Sequence, residues 1–133
     1  MGTPADDLGD PTWRQASARW FTEHVDDPLV RLVVAEVDGE AVASAVGEVT
    51  RLIPGPSTPD GAVGLVSNVA TLPGRRGRGL ATACTEAVLD WLVTETGVTR
   101  IDLFATPDGA RIYAARGFVT SPFPAMRHRV DRG

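Results

Sequence analysis

The chain has 133 residues, 43% of them hydrophobic, enough for one domain (residues 1–133) whose core needs neither disulfides nor a metal. Thirteen Lys and Arg against seventeen Asp and Glu leave a net charge of -4, which argues against a surface built to neutralise nucleic-acid phosphates. The single cysteine, Cys84, cannot close an intrachain bridge, the first ten residues lack the basic region and apolar run of a signal peptide, and no stretch approaches the ~18 apolar residues of a membrane span. The expectation is a soluble, cytoplasmic protein with no membrane partner.

Asp10-Pro11 supplies an N-cap followed by proline at the first helical position, and Trp13, Ala16, Trp20, Phe21 and His24 recur at helical spacing, so a helix is expected from about Pro11 to Val25. Arg31 to Val37 is rich in Val and Leu and runs into Asp38-Gly39, the dipeptide favoured in tight hairpins; a second strand, about Glu40 to Leu52, follows. Three prolines and two glycines make residues 54–61 a loop. Ala62 to Thr71 returns to strand composition. After Leu72-Pro73-Gly74 a helix runs to about Thr96, with Leu80, Cys84, Ala87, Val88, Trp91 and Leu92 on one face and Gly97 as its stop. Arg100 to Ala105 reads as a short strand, Thr106-Pro107 caps a helix of about Asp108 to Arg116, and Gly117 precedes an extended Phe118 to Val130. The order implies an α/β or α+β fold, a mixed sheet with helices on its faces.

The run from Gly74 to Ala81 falls where a strand ends and the long helix begins. A helix start leaves backbone N–H groups unpaired and carries the positive end of the macrodipole, so an anion is stabilised there. Gly77 and Gly79 let the backbone approach a ligand, and Arg75, Arg76 and Arg78 add long-range attraction. A phosphate-binding P-loop requires Lys-Ser or Lys-Thr after its last glycine, whereas Gly79 is followed by Leu80-Ala81. A dinucleotide fingerprint fails at Thr82, and no acidic residue ends the next strand.

Asn68 to Ala81 resembles the acetyl-CoA motif of the GNAT superfamily of N-acetyltransferases. The pattern R-x-x-G-x-A is met by Arg76, Gly79 and Ala81, with Pro73 upstream, and Ala110 to Phe118 is similar to a second signature, a helix carrying a tyrosine and ending in Gly-Phe, here Tyr113 and Gly117-Phe118. The likeness spans about Arg31 to Val130. It implies a mixed, mainly antiparallel central sheet with a splayed, V-shaped cleft and helices on both faces. It further implies acetyl-CoA as co-substrate and direct transfer of the acetyl group to a primary amine in a ternary complex.

On that resemblance the strand before the motif carries a bulge, and Val69, Ala70 and Thr71 lie along the pantetheine arm, which the free backbone groups of Val69 and Thr71 bond as an added strand would. The amides of Arg76, Gly77, Arg78, Gly79, Leu80, Ala81 and Thr82 bind the pyrophosphate, and Tyr113 serves the departing thiolate as acid. Many members place a glutamate where this chain has Leu65; Glu48 on the preceding strand is the nearest substitute as base, and Ser67 or Asn68 could orient a water instead. Amine deprotonation by solvent is a further route. A non-catalytic acyl-CoA-binding module is the alternative that Leu65 raises.

The family's first strand and much of its substrate-side helix pair have no counterpart in the ten residues before Pro11, so an open acceptor site, or one completed in a homodimer, is expected. The acceptor itself, a small-molecule or protein amine, is not legible in these residues. Cys84 sits among apolar neighbours and reads as a buried hydrophobe. His24 and His128 lack partners at ligand spacing, so no metal is expected. Trp13, Trp20 and Phe21 read as core covering the sheet.

Overall fold

The computed structural model describes residues 12–133, so Pro11 and the N-cap expected at Asp10 lie outside the described residues. In chain order the elements are α1 (Thr12–His24), β1 (Val30–Val37), β2 (Glu40–Arg51), β3 (Ala62–Thr71), α2 (Leu80–Trp91), β4 (Ile101–Leu103) and α3 (Pro107–Ala115). The four strands form one mixed sheet in the order β1-β2-β3-β4, with the first two pairings antiparallel and the last parallel. This is the mixed, mainly antiparallel α/β architecture expected.

Asp38 and Gly39 turn the first hairpin with φ of 53° and 81°, the left-handed pair that a two-residue turn matched to strand twist demands. The odd-numbered residues of β2 face α2: Ala43 and Ala45 join Val66, Cys84, Val88, Leu89, Trp91 and Leu92 in the core. Gly47 lets the helix lie close, since a Cβ there would come within 2.5 Å of Val88 Cγ1. Full burial of Val42, Val66, Val88 and Leu92 stabilises the fold by roughly 1.5–3 kcal/mol each. Even-numbered residues face the other way, where α1 lies: Trp20 and Phe21 line a cavity with Val46 and Glu48.

The long helix departs from expectation in three ways. Pro73–Arg75 forms a separate 3-10 turn, the α-helix begins only at Leu80, and Leu92–Thr96 winds as a π-helical turn before Gly97 stops it at φ 73°. The Thr94 and Thr96 hydroxyls donate to the carbonyls of Asp90 and Leu92 there, competing with the backbone ladder. Ala87, expected on the apolar face, is exposed, while Thr85 and Leu89 are buried; the Thr85 hydroxyl donates to the Ala81 carbonyl at 2.8 Å, which offsets its burial.

Two expected strands contract. β4 keeps only Ile101–Leu103 of the anticipated Arg100 to Ala105. The stretch from Phe118 to Val130 forms no strand: Phe118 packs on the core, but Val119, Phe123 and Met126 are 88%, 85% and 97% exposed. Pro122 and Pro124 remove ladder donors from that segment. Among the described residues no helix is long and apolar enough to cross a membrane.

Candidate functional site

Where β3 leaves β4, its backbone is exposed. The parallel pairing runs only from Gly64 to Val66, opposite Ile101 to Leu103, whereas β3 continues to Thr71 along β2. The register with β2 slips by one residue between Val46↔Ser67 and Ser44↔Ala70, so one extra residue bulges out of β3. Asn68 stands in that bulge with φ 52°, and the Ser44 hydroxyl donates to its carbonyl at 3.2 Å. Asparagine tolerates the left-handed region better than the β-branched residues around it.

The bulge reverses which residues face the cleft. Before it, the Gly64 N–H donates to the Arg100 carbonyl at 2.9 Å, so even-numbered residues point toward β4. After it, the Leu72 N–H donates to the Val42 carbonyl at 2.8 Å, and alternation then turns the backbone of Ala70 to β2 and that of Val69 and Thr71 into the open side. Of the three strand residues expected along an extended ligand, Val69 and Thr71 therefore keep free hydrogen-bonding groups, and Ala70 spends its own on β2.

A few residues on, the start of α2 is unprotected. Gly79 is its N-cap, at φ 72°, with no side-chain cap, and Gly77 lies at φ 81°. A Cβ on either would meet nothing within 4 Å, so these glycines are required by backbone conformation rather than by crowding. The first N–H groups of the helix, those of Leu80, Ala81 and Thr82, have no helical acceptor and face the positive end of the dipole outward. Arg76 and Arg78 are exposed and Arg75 half-buried; none of the three joins an ion pair among the described residues. The turn thus presents unspent donors and unspent positive charge, a cradle for a phosphate-bearing ligand whose extended arm could run along Val69 and Thr71.

Tyr113 on α3 is 8% exposed, its ring edge-on to Phe118 at 5.9 Å. Its hydroxyl makes no hydrogen bond among the described residues yet is not sealed from solvent, so a buried ring presents an available hydroxyl. The Thr106 side chain accepts from the Gly109 N–H at 3.3 Å and caps the helix that carries the tyrosine. The C-terminal end of α3 is tied to α2 by Arg116, 3.0 Å from Glu86 and 3.6 Å from Asp90.

Glu48 lies directly opposite Leu65 in the β2–β3 pairing, on the same face of the sheet, where opposed Cβ atoms are roughly 5 Å apart. A carboxylate on β2 therefore stands beside the position that the motif reading left to leucine. Glu48, Ser67 and Asn68 line one cavity of about 230 Å³ with Ser17, Val46, Trp20 and Phe21. Tyr113 is not among its walls, so the two candidate catalytic side chains are not brought into one cavity. The contribution of α1 was missed in the sequence: Trp20 and Phe21, expected as plain core, are half-buried and form cavity wall. Their i, i+1 placement beside a polar helix face was the available signal.

Cys84 is buried and burial pushes its thiol above its usual value, which suits a packing residue. His24 stacks on Trp20 at 4.2 Å, with its Nδ1 2.7 Å from the Trp20 carbonyl. No group of three or more potential metal ligands occurs among the described residues.

Comparison with known proteins places this geometry. No curated protein sequence matches the chain at a significant level. Among solved structures, a GCN5-related N-acetyltransferase from Ralstonia eutropha JMP134 aligns over 96% of this chain and 82% of its own, at 23% identity and a TM-score of 0.77. A predicted acetyltransferase of Clostridium acetobutylicum, solved with acetyl-CoA, aligns over 86% of this chain and 73% of its own, at 23% identity and a TM-score of 0.74. Glucosamine-6-phosphate N-acetyltransferase from Arabidopsis thaliana is similar over 84% and 75%, at 15% identity and a TM-score of 0.68. At such identities the likeness is one of fold. The model of the acetyltransferase (GNAT) family, in contrast, matches residues 4–118, a span that holds the bulged strand, the glycine turn and the tyrosine helix together, and the chain belongs to that family.

Proposed function

We propose that the chain is an acetyl-CoA-dependent N-acetyltransferase that passes the acetyl group directly to an amine in a ternary complex. The observation that carries this reading is the adjacency of two unspent sets of backbone donors: Val69 and Thr71 on the splayed strand, and the uncapped amides that open α2 behind Gly77 and Gly79. One suits an amide-bearing arm and the other a pyrophosphate. When bound, acetyl-CoA supplies an acetyl thioester.

The chain's own groups then have three tasks. Backbone donors fix the cofactor so that encounter with the amine becomes an intramolecular matter of orientation. Glu48, in the cavity on the α1 side of the bulge, takes the proton that the amine must lose. Tyr113, with its ring held by burial and its hydroxyl free, gives a proton toward the departing sulfur.

Tyr113→Phe tests the assignment. It is expected to leave acetyl-CoA affinity within about twofold by calorimetry and to slow CoA release by roughly 10²-fold or more. Equal loss of affinity and turnover would remove Tyr113 from the chemistry. Tight acetyl-CoA binding with no CoA release from any amine would favour a non-catalytic binding module, the reading that Leu65 at the expected base position supports.

A further inference from the structure

We infer that Arg116 is a positioning residue, which sets the Tyr113 hydroxyl by clamping α3 to two carboxylates of α2; this rests on the acid role proposed above for Tyr113. From Ala110 to Ala115, Tyr113 alone is buried, and Ala110, Arg111, Ile112, Ala114 and Ala115 are exposed. A helix held through one ring pivots about it, so a second point of attachment decides where the hydroxyl of that ring lies.

The helix end is built to supply one. The Phe118 N–H donates to the Tyr113 carbonyl and the Gly117 N–H to the Ala114 carbonyl, both at 3.1 Å, a closure that Gly117 permits at φ 94°. The aromatic contact that accompanies this closure is the one between Tyr113 and Phe118, 5.9 Å between centroids. The Arg116 N–H donates to the same Tyr113 carbonyl at 2.9 Å, so the tyrosine and the arginine share one rigid turn. Glu86 and Asp90 stand four residues apart on α2, a spacing at which like charges repel. The guanidinium answers both, with Nη1 3.0 Å from Glu86 and Nη2 3.6 Å from Asp90. Separate nitrogens on separate carboxylates fix the orientation of a planar fork as well as its distance. The clamp therefore refers Tyr113 to α2, the helix whose first amides are proposed to hold the pyrophosphate.

The test compares the parent with Arg116→Gln, Arg116→Lys and the double variant Glu86→Gln/Asp90→Asn. CoA release is followed at saturating acetyl-CoA with phenethylamine, spermidine and glucosamine as acceptors. Exposed ion pairs hold weakly, so kcat should fall about three- to fivefold in Arg116→Gln and equally in the carboxylate double variant. Acetyl-CoA affinity by calorimetry should stay within about twofold, and Arg116→Lys should recover part of the loss. Added to Tyr113→Phe, Arg116→Gln should cost nothing further, since it acts through the tyrosine. A full additional loss in that background, or a carboxylate double variant at the parent kcat, would overturn the inference. Tyr113 is the one tyrosine of the chain, so carbon-13-labelled tyrosine gives a single NMR signal for its ring. If no amine releases CoA, or Tyr113→Phe leaves turnover intact, the transferase or acid reading fails and that signal decides the positioning separately. A shift on saturation with acetyl-CoA that Arg116→Gln diminishes keeps the clamp; no shift in the parent, or the same shift in both, overturns it.

Discussion

The role proposed for Glu48 follows from what faces it. Leu65, its cross-strand neighbour, offers no proton acceptor, so Glu48→Gln is expected to lower turnover at neutral pH by roughly 10²-fold. Activity should recover as pH rises, because a larger share of the amine then arrives neutral; a pH–rate profile identical to that of the parent would assign deprotonation to solvent. Cys84 works in the opposite sense, as a group kept out of chemistry. Burial raises its thiol above the ordinary 9.0, so the neutral form is favoured in the folded state. That contribution to stability is complete below about pH 9 and is lost as pH rises through the raised value. Thermal melts should therefore fall in that alkaline range, less so in Cys84→Ala, and thiol reagents should leave the folded chain unmodified at neutral pH. The role of Cys84 was legible from its apolar neighbours at helical spacing. That of Trp20 was not, because periodicity identifies an apolar stripe without saying whether a sheet or a cavity lies beneath it.

At the scale of elements, two short irregularities create the cleft proposed to hold the cofactor. The bulge at Asn68 rotates the backbone of β3 by one residue, so that Val69 and Thr71 turn outward; the left-handed Gly77 and Gly79 then bring the chain into α2 with its amides uncapped. Gly79→Ala would hold a Cβ at φ 72°, costing roughly 1–2 kcal/mol unless the turn relaxes. Since the added methyl meets nothing within 4 Å, the sheet and core should be unaffected. Acetyl-CoA affinity should fall about tenfold, which titration calorimetry would register, and unchanged affinity would mean that the turn does not hold the phosphates. The strand and helix positions were readable from composition and capping, as Asp38-Gly39 and Thr106-Pro107 illustrate. The bulge itself carries no local signature in Ser67-Asn68-Val69, because it is set by register against β2, which is a tertiary property. The overextended reading of Phe118 to Val130 failed for a related reason: a strand exists only where a partner is paired, and β4 ends at Leu103.

For the whole molecule, the sheet separates two labours. On one face α2 closes the core, with Gly47 permitting the close approach of Val88; on the other α1 walls the cavity with Trp20 and Phe21. The bulged end of β3 connects them, since Asn68 lines the cavity and Val69 packs toward the core. Family membership was legible because the glycine turn and the tyrosine helix occur in fixed order, and the cavity proposed for the acceptor was not, because it is assembled from α1, β2 and β3 across the fold. In the proposed function the cleft and the turn act as one binding surface for acetyl-CoA. Backbone amide hydrogen exchange, measured with and without saturating acetyl-CoA, addresses that most directly. Protection should rise at Val69 and Thr71 and across Arg76 to Thr82, with Ala70 unchanged because its backbone already bonds β2; unaltered exchange at all of these amides in the bound state would contradict it.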